Sequence, residues 1–283
     1  MSAGGRPRRG RRGPKPETTD EPVPEDTPTS LAGDSVALAV FKEATKFLNE
    51  RQDRHERLVK MSRDVTIESK RIIFLLHSPV KKEGYEKCIE DAKNRLDKLV
   101  EGPLKTIGLE LEESPAYLHH RAVTAGLQEY IEARTLYSIT SLGTIISYED
   151  AQKELEYSVT EKEETRTVVT LLPHTDYMLG IADLTGELMR KAIHSIGEGN
   201  VDDVYKACQV VRDLYTGFLG LSQCRLLSRK LPTTRSNVHK TEMAVYGLKL
   251  RDDFGRPPAA AIADAQIVHL GMPEDADADD GFY

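Results

Sequence analysis

The side chains with the clearest chemical potential are two glutamates, Glu129 and Glu132, in the segment HHRAVTAGLQEYIEAR from His119 to Arg134. At 100° per residue, both fall within about 40° of the centre of a helix face that Leu118 and Leu136 mark. The opposite face is also apolar and consists of Val123, Leu127, Tyr130 and Ile131. A helix that is apolar on two sides is typical of burial between neighbouring helices. The sequence therefore predicts that both carboxylates are partly removed from water.

Partly buried carboxylates need a nearby cation, a hydrogen-bond donor or a metal ion. One interpretation is structural: the two glutamates pair with arginines or line a groove that stays wet. The other is a metal or acid/base site. Structural ion pairs often resemble sites, so this helix alone leaves both interpretations open.

A second acidic helix is predicted at 176–196, where Asp183 and Glu187 lie on one stripe. Asp176, Arg190 and His194 continue that stripe. The opposite face is apolar and consists of Ile181, Leu184, Leu188, Met189 and Ile193. Periodicity alone favours a solvated polar face here. However, Gly180 and Gly186 each cost roughly 1 kcal/mol of helix propensity, which favours a close approach of another element to the backbone.

Glu129 and Glu132 are three residues apart, and Asp183 and Glu187 are four residues apart. Both spacings place the two acids of a pair on adjacent turns of one helix face. If the helices face each other, four carboxylates converge, and their repulsion needs a divalent cation. Ligand sets made only of oxygen favour Mg²⁺ or Mn²⁺ over zinc. The chemistry indicated is metal-assisted hydrolysis of a phosphate ester.

The elements that must position these acids are helices, and the predicted fold is all-α with about seven of them. Caps, prolines and apolar periodicity predict helices at about 35–77, 82–101 (kinked or ended by Gly102-Pro103 before 104–111), 115–139, 148–157, 176–196, 201–219 and 233–251. Asp34 or Ser35, Ser114, Ser147, Thr175 and Asn200 are the predicted N-caps. The β-like run 165–172 is predicted to be a loop, one arm of a hairpin, or an edge used by a partner.

The first predicted helix is about 60 Å long, more than a compact monomer of this size needs. Its apolar stripe includes Leu38, Phe41, Leu48, Leu58, Val65 and Ile72. We therefore expect it to pack against another chain as well as its own. Arg63, Lys70 and Arg71 flank the stripe, and by pattern alone they form a solvated face.

Charge is concentrated at the two ends of the chain. The formal net charge is −7, but excluding residues 1–34 and 271–283 leaves the rest at about −2, which excludes a strongly basic nucleic-acid binder. Residues 1–33 and 255–283 are predicted to be tails, the first disordered and the second acidic, on either side of a helical domain at 34–254. The basic cluster from Arg6 to Lys15 is of the type that nuclear import receptors read or that RNA attracts.

Three separated cysteines, without a CxxC pattern, predict a reduced intracellular protein without a zinc site. The sequence has no apolar run of the ~18 residues that span a bilayer, so we expect no membrane association.

Three segments resemble the translin family: RHERLVKMSRDVTIESKRIIFLLH (54–77), HRAVTAGLQEYIEA (120–133) and DYMLGIADLTGELMR (176–190). The resemblance covers roughly 36–250. The last two segments place the chain in the branch that pairs with translin, whereas translin itself is the RNA-binding partner that lacks this acidic set.

The resemblance implies a seven-helix α-fold that assembles with translin into a closed, barrel-like hetero-octamer in which RNA is processed. It also implies a Mg²⁺-dependent endoribonuclease, located in the cytoplasm and nucleus, that cuts single-stranded or nicked RNA. The implied substrates are small-RNA passenger strands in RNA interference and tRNA-processing fragments. The implied catalytic and metal-binding residues are Glu129, Glu132, Asp183 and Glu187. Phosphate contacts are expected from Arg63, Lys70 and Arg71.

Two other functions remain open. The chain could be a structural subunit that stabilises translin, with the four acids in structural ion pairs. A metal-independent nuclease that uses His119 and His120 is the second alternative, although adjacent helical residues point about 100° apart. Hydrolysis by water leaves 5′-phosphate and 3′-hydroxyl ends, whereas attack by the 2′-hydroxyl leaves a cyclic phosphate.

Overall fold

The computed structural model describes residues 36–78, 82–112, 114–161, 164–221 and 223–254. The chain divides into two compact units, residues 1–47 and residues 48–283. The predictions for the two tails, for the basic cluster Arg6 to Lys15 and for a cap at Asp34 or Ser35 lie outside the described residues. The described part of the first unit is the beginning of helix α1 (Val36–His77), where Phe41 and Phe47 are exposed.

The second unit contains the rest of α1 and the other described helices. They are α2 (Lys82–Leu99), α3 (Lys105–Glu112), α4 (His120–Leu142), α5 (Tyr148–Lys153), α6 (His174–Glu198), α7 (Val201–Gly220), α8 (Arg225–Ser228) and α9 (Leu231–Phe254). The predicted all-α fold is confirmed. The four-residue helix α8 was not predicted, because one helical turn carries no periodicity.

Side-chain caps fix two of the helix starts. The Ser147 hydroxyl accepts a hydrogen bond from the Asp150 backbone N–H, and the Asn200 side chain accepts one from Asp203. These two predicted caps are confirmed. Those at Ser114 and Thr175 are wrong, because a 3₁₀ turn (Ala116–Leu118) precedes α4, and α6 begins at His174 after a proline.

A π-helical turn at Val100–Leu104 joins α2 to α3. It contains Pro103, which has no backbone N–H to donate and clashes with an ordinary α-helical turn. The predicted kink at Gly102-Pro103 is therefore a change of helix type between two continuous segments.

A two-stranded antiparallel hairpin interrupts the helices. Strand β1 (Glu156–Glu161) pairs with β2 (Glu164–Val169), and Tyr157 lies opposite Val168 in the register. Both of those side chains are buried. Of the three alternatives for the run 165–172, the hairpin arm is confirmed. The predicted extension of the preceding helix to residue 157 is wrong, because α5 ends at Lys153.

The core is built around α4, which packs between α1 and α6. Tyr130, Ile131 and Leu136 of α4 are fully buried, as are Leu58 of α1 and Leu184 of α6. The two-sided apolar pattern of this helix therefore correctly predicted burial on two sides.

Glycine allows α1 and α4 to approach closely. The Gly126 backbone N–H donates to the Ser62 hydroxyl at 3.1 Å. A Cβ at residue 126 would lie 2.8 Å from the Ser62 carbonyl oxygen, so even alanine does not fit there without movement of the backbone.

Among the described helices, none is both long and apolar enough to cross a membrane.

Candidate functional site

Helices α4 and α6 bring the four predicted acids together, Glu129 and Glu132 from α4 and Asp183 and Glu187 from α6. The charges of Asp183 and Glu187 raise the pKa of both α4 glutamates. Such effects act between carboxylates that lie near one another. Gly180 of α6 also packs against Gln128 and Ile131 of α4, so the structure brings the acid-bearing parts of the two helices next to each other.

Gly180 sets the spacing between these two helices. A Cβ at this position would lie 2.8 Å from the Gln128 carbonyl oxygen and 2.8 Å from the Ile131 Cβ atom. The close approach that the sequence predicted at Gly180 is therefore present. The same prediction for Gly186 is wrong, because a Cβ there would meet only the Asn237 side-chain nitrogen, at an ordinary 3.7 Å.

Asp176 fixes the register of α6 against α4. Its carboxylate is buried, and the side chains of Thr124 and Gln128 donate to its Oδ1 atom at 2.6 and 2.9 Å. This residue was predicted on the polar stripe of α6. Its hydrogen bonds to α4 show that the N-terminal end of the stripe faces a neighbouring helix, while Arg190 and His194 at the other end are exposed to solvent.

The carboxyl group of Glu132 has the most perturbed titration in the site. Burial, followed by the charges of the other three acids, raises its pKa from 4.5 to about 8, while the charge of Lys230 acts in the opposite direction. Burial also raises the pKa of Glu129, against the effect of Lys70. In the absence of a metal ion, Glu132 is therefore mostly protonated at neutral pH.

Basic side chains hold the other three acids. The Lys70 Nζ atom lies 3.2 Å from Glu129 Oε1, and the Lys230 Nζ atom lies 2.7 Å from Asp183 Oδ1. Glu187 Oε2 lies 2.6 Å from the Nε2 atom of His77. The same oxygen is 3.3 Å from Arg190 Nη1.

These ion pairs keep the acids from forming a ready-made ligand set. Within the described part of the chain, no group of three or more histidine, cysteine, aspartate or glutamate side chains is arranged to hold a metal ion. The residue types fit Mg²⁺ or Mn²⁺, because all four supply carboxylate oxygens. Binding such an ion requires the lysines to withdraw and the carboxylates to turn towards each other.

The three basic residues predicted to contact phosphate differ in position. Lys70 lies at the acid site through its ion pair with Glu129. Arg71 pairs with Glu68 at 3.2 Å, while Arg63 is exposed. The structure therefore brings only Lys70 of these three into the site.

The two adjacent histidines do not form a site. His119 is 1% exposed, and its Nε2 atom lies 3.2 Å from the Ser114 hydroxyl. Burial lowers the pKa of His119, and nearby arginines lower it further. The Nε2 atom of His120 lies 3.7 Å from Asp176 Oδ2. The buried position of His119 argues against a shared role with His120 on one phosphate.

Sequence reasoning missed two residues of the site, His77 and Lys230. Each contacts an acid far away along the chain, Glu187 in one case and Asp183 in the other. Helical periodicity reports only neighbours on the same helix, so it gives no signal for these contacts. Both residues lie at helix ends, His77 as the last residue of α1 and Lys230 just before α9.

A model of the translin family matches residues 53–252. The chain is 38% identical to translin-associated protein X of Mus musculus over 253 residues, which cover 84% of this chain and 86% of that protein. It is 28% identical to the translin-associated protein X homolog of Schizosaccharomyces pombe, over 75% of this chain and 88% of that one.

Two solved structures have the same fold. The crystal structure of apo-NeC3PO matches with a TM-score of 0.56 and 22% identity, and covers 73% of this chain and 95% of that one. The structure of AfC3PO in complex with duplex RNA matches with a TM-score of 0.54 and 19% identity, over 82% and 99% of the two chains. The fold, the family model and the similarity to translin-associated protein X over most of the chain agree, and the chain belongs to the translin family.

Proposed function

We propose that this chain is the catalytic subunit of a translin-containing, Mg²⁺-dependent endoribonuclease that hydrolyses single-stranded or nicked RNA. The observation that carries the proposal is the placement of four carboxylates on the adjoining helices α4 and α6, where burial and then the charges of the other three acids raise the Glu132 pKa to about 8. A purely structural site gains nothing from such repulsion, whereas strongly perturbed carboxyl groups are typical of catalytic sites. The similarity to translin-associated protein X supports the family assignment on which the proposal rests.

Glu129, Glu132, Asp183 and Glu187 are the residues that would hold Mg²⁺, with Mn²⁺ as a substitute. When bound, the ion supplies positive charge against the scissile phosphodiester and acidifies the attacking water. Glu132 has to lose its proton to join the ligand set. The positive charge of a bound ion would then take the place of the two lysine ammonium groups beside the carboxylates.

The released lysines supply the second part of the mechanism. Lys70 and Lys230 are 64% and 38% exposed, so their ammonium groups have room to turn towards an RNA phosphate. There they would hold the phosphate and stabilise the charge that develops on it. One of the four carboxylates accepts the proton of the attacking water. Hydrolysis by this route leaves 5′-phosphate and 3′-hydroxyl ends.

The proposed partner is translin, in a hetero-octamer that encloses the RNA. Exposed apolar side chains on α1 support an interface with another subunit, since Phe41 in the first unit is 70% exposed and Leu48 in the second is 56% exposed. We further propose passenger-strand fragments and tRNA-processing fragments as substrates, in the cytoplasm and in the nucleus. The AfC3PO complex with duplex RNA supports RNA as the ligand class.

A structural role for the chain is the second candidate. It is favoured by the ion pairs of Glu129, Asp183 and Glu187 with Lys70, Lys230 and Arg190. In that case the acids serve the packing of α4 against its neighbours, and the assembly binds RNA without cutting it.

Cleavage of a labelled single-stranded RNA by the copurified complex with translin separates these two candidates. We expect cleavage in Mg²⁺, none in EDTA, and a loss of at least 100-fold in rate for Glu129→Ala, which removes a proposed ligand. Glu90→Ala, an exposed glutamate on α2, is the matched control and should retain full activity. Both variants are first checked for assembly by size-exclusion chromatography.

The outcomes of this experiment differ for each candidate. Unchanged activity of the Glu129→Ala complex would remove this residue from catalysis. A wild-type complex that binds RNA but does not cleave it would establish the structural subunit. A cyclic phosphate at the product end would exclude attack by water.

A further inference from the structure

We propose that His77 is a positioning residue that orients Glu187 for the metal ion, an inference that rests on the proposed function. His77 is the last residue of α1, and Glu187 lies in the middle of α6. Their contact joins two helices through residues 110 positions apart in sequence. None of the sequence patterns above indicated it.

The geometry of the contact is that of a short, strong hydrogen bond. The His77 Nε2 atom lies 2.6 Å from Glu187 Oε2, and the two side chains are only 7% and 12% exposed. An ionised carboxylate offers only acceptors, so the histidine Nε2–H must be the donor. Bonds to charged acceptors in buried surroundings are stronger than neutral ones.

The bond engages only one of the two carboxylate oxygens. Arg190 Nη1 approaches the same Oε2 atom at 3.3 Å. Two donors on one oxygen fix the rotation of the carboxylate and direct Oε1 away from them. The oxygen that faces away is the one that can bind a cation.

His77 differs from the lysines of the site in its freedom to move. Lys70 and Lys230 are half-exposed and have four rotatable bonds, so they can leave when an ion binds. The His77 side chain is only 7% exposed and has two rotatable bonds, and its edge-on contact with the His194 ring, with centroids 6.1 Å apart, involves an exposed side chain that holds it little. His77 therefore stays on Glu187 in the loaded site, as outer hydrogen-bond partners of metal ligands usually do.

The test compares substitutions that keep or lose a donor at the position of Nε2. Glutamine places an amide N–H near the position of the histidine Nε2, whereas the shorter asparagine reaches only the position of Nδ1. We would prepare the His77→Ala, His77→Gln and His77→Asn complexes with translin. His194→Ala is the matched control, because it removes the packed ring without touching Glu187.

The main measurement is Mn²⁺ affinity in the absence of RNA, by electron paramagnetic resonance or calorimetry. We expect affinity to fall 10- to 100-fold in His77→Ala, the usual effect of losing an outer partner of a ligand. His77→Gln should recover most of that loss, His77→Asn should not, and His194→Ala should remain within twofold of wild type. In RNA cleavage, His77→Ala should raise the Mn²⁺ concentration needed for half-maximal rate and leave the KM for RNA unchanged.

Three results would overturn the proposal. The first is a Mn²⁺ affinity of His77→Ala within twofold of wild type, and the second is equal recovery by glutamine and asparagine, which would indicate packing alone. If the His77→Ala complex does not assemble, the difference in Mn²⁺ affinity between the His77→Gln and His77→Asn complexes tests the proposal instead. The third is a wild-type complex that binds no Mn²⁺, which overturns the proposed function itself. Mn²⁺ binding by the wild-type complex therefore distinguishes a failure of the proposed function from a failure of the positioning role of His77 alone.

Discussion

Replacing Glu132 by glutamine should stabilise the metal-free protein at neutral and alkaline pH, although it removes a residue from the centre of the site. The reason is the pKa of this carboxyl group, which burial and three neighbouring acids raise from 4.5 to about 8. Between these two values the folded protein binds a proton that the unfolded chain has released. Stability therefore falls as the pH rises through this interval.

The size of the effect follows from the same two pKa values. Each unit of pKa corresponds to about 1.4 kcal/mol, so the ionised form of Glu132 lowers the free energy of unfolding by up to about 5 kcal/mol above pH 9. At pH 7 the cost is about 3 kcal/mol, and below pH 4 it vanishes because both states are protonated. Glutamine has a similar shape and no charge, so it avoids this cost at every pH.

The assay is urea unfolding in EDTA at a fixed protein concentration, from pH 4 to pH 9, with translin present in every sample. The difference between Glu132→Gln and wild type should be near zero at pH 4 and should grow through pH 7 to a plateau near pH 9. Glu90→Gln, an exposed glutamate on α2, is the control and should follow wild type throughout. If the Glu132→Gln curve runs parallel to the wild-type curve across this range, burial and the neighbouring acids do not raise the Glu132 pKa as described.

Four further predictions follow from other contacts. Gly180→Ala should destabilise the protein by about 1–3 kcal/mol because its Cβ meets the α4 backbone, whereas Gly186→Ala should stabilise it by up to about 1 kcal/mol; equal thermal shifts would contradict this. Glu110→Gln should cost roughly 0.5–1 kcal/mol at pH 7, because the Arg57 hydrogen bond lowers the Glu110 pKa, and in urea titrations that cost should shrink as the pH falls below 4.5 and through the lowered pKa. Mn²⁺ binding at pH 7 should release about one proton and at pH 9.5 almost none, which calorimetry in buffers of different ionisation enthalpy would detect; equal release at both values would exclude Glu132 as the source. The chain without translin should not unfold cooperatively as a monomer, and a sharp melt of a monomer in calorimetry would contradict the expected partner interface.

Local patterns predicted the parts of the fold that depend on near neighbours in sequence. The apolar faces of α4 predicted its central position, and the caps at Ser147 and Asn200 predicted two helix starts. Strand β1 was missed because its residues also fit the end of a helix, and only its pairing with β2 decides between the two structures.

The candidate site also contains residues that local spacing could predict and contacts that it could not. Spacing on each helix singled out the four acids but left open whether the two helices face each other, and the resemblance to the translin family assigned the four acids to one site. The positions of their basic partners depend on how α1 and the start of α9 reach α6, and helical spacing has no information about that. Gly180 and Gly186 looked alike in sequence, but only packing distinguishes a required glycine from a tolerated one.

The contact at Gly180 has an evolutionary consequence. Because the carbonyl oxygen of Gln128 fills the place of a side chain at residue 180, glycine is required by the packing of two helices and not by any reaction. A duplicated gene that lost the acids, and with them the chemistry, would still need this glycine to fold. Related chains should therefore keep Gly180 whether or not they keep Glu129 and Asp183, and its presence in a distant sequence would identify the architecture but not the activity.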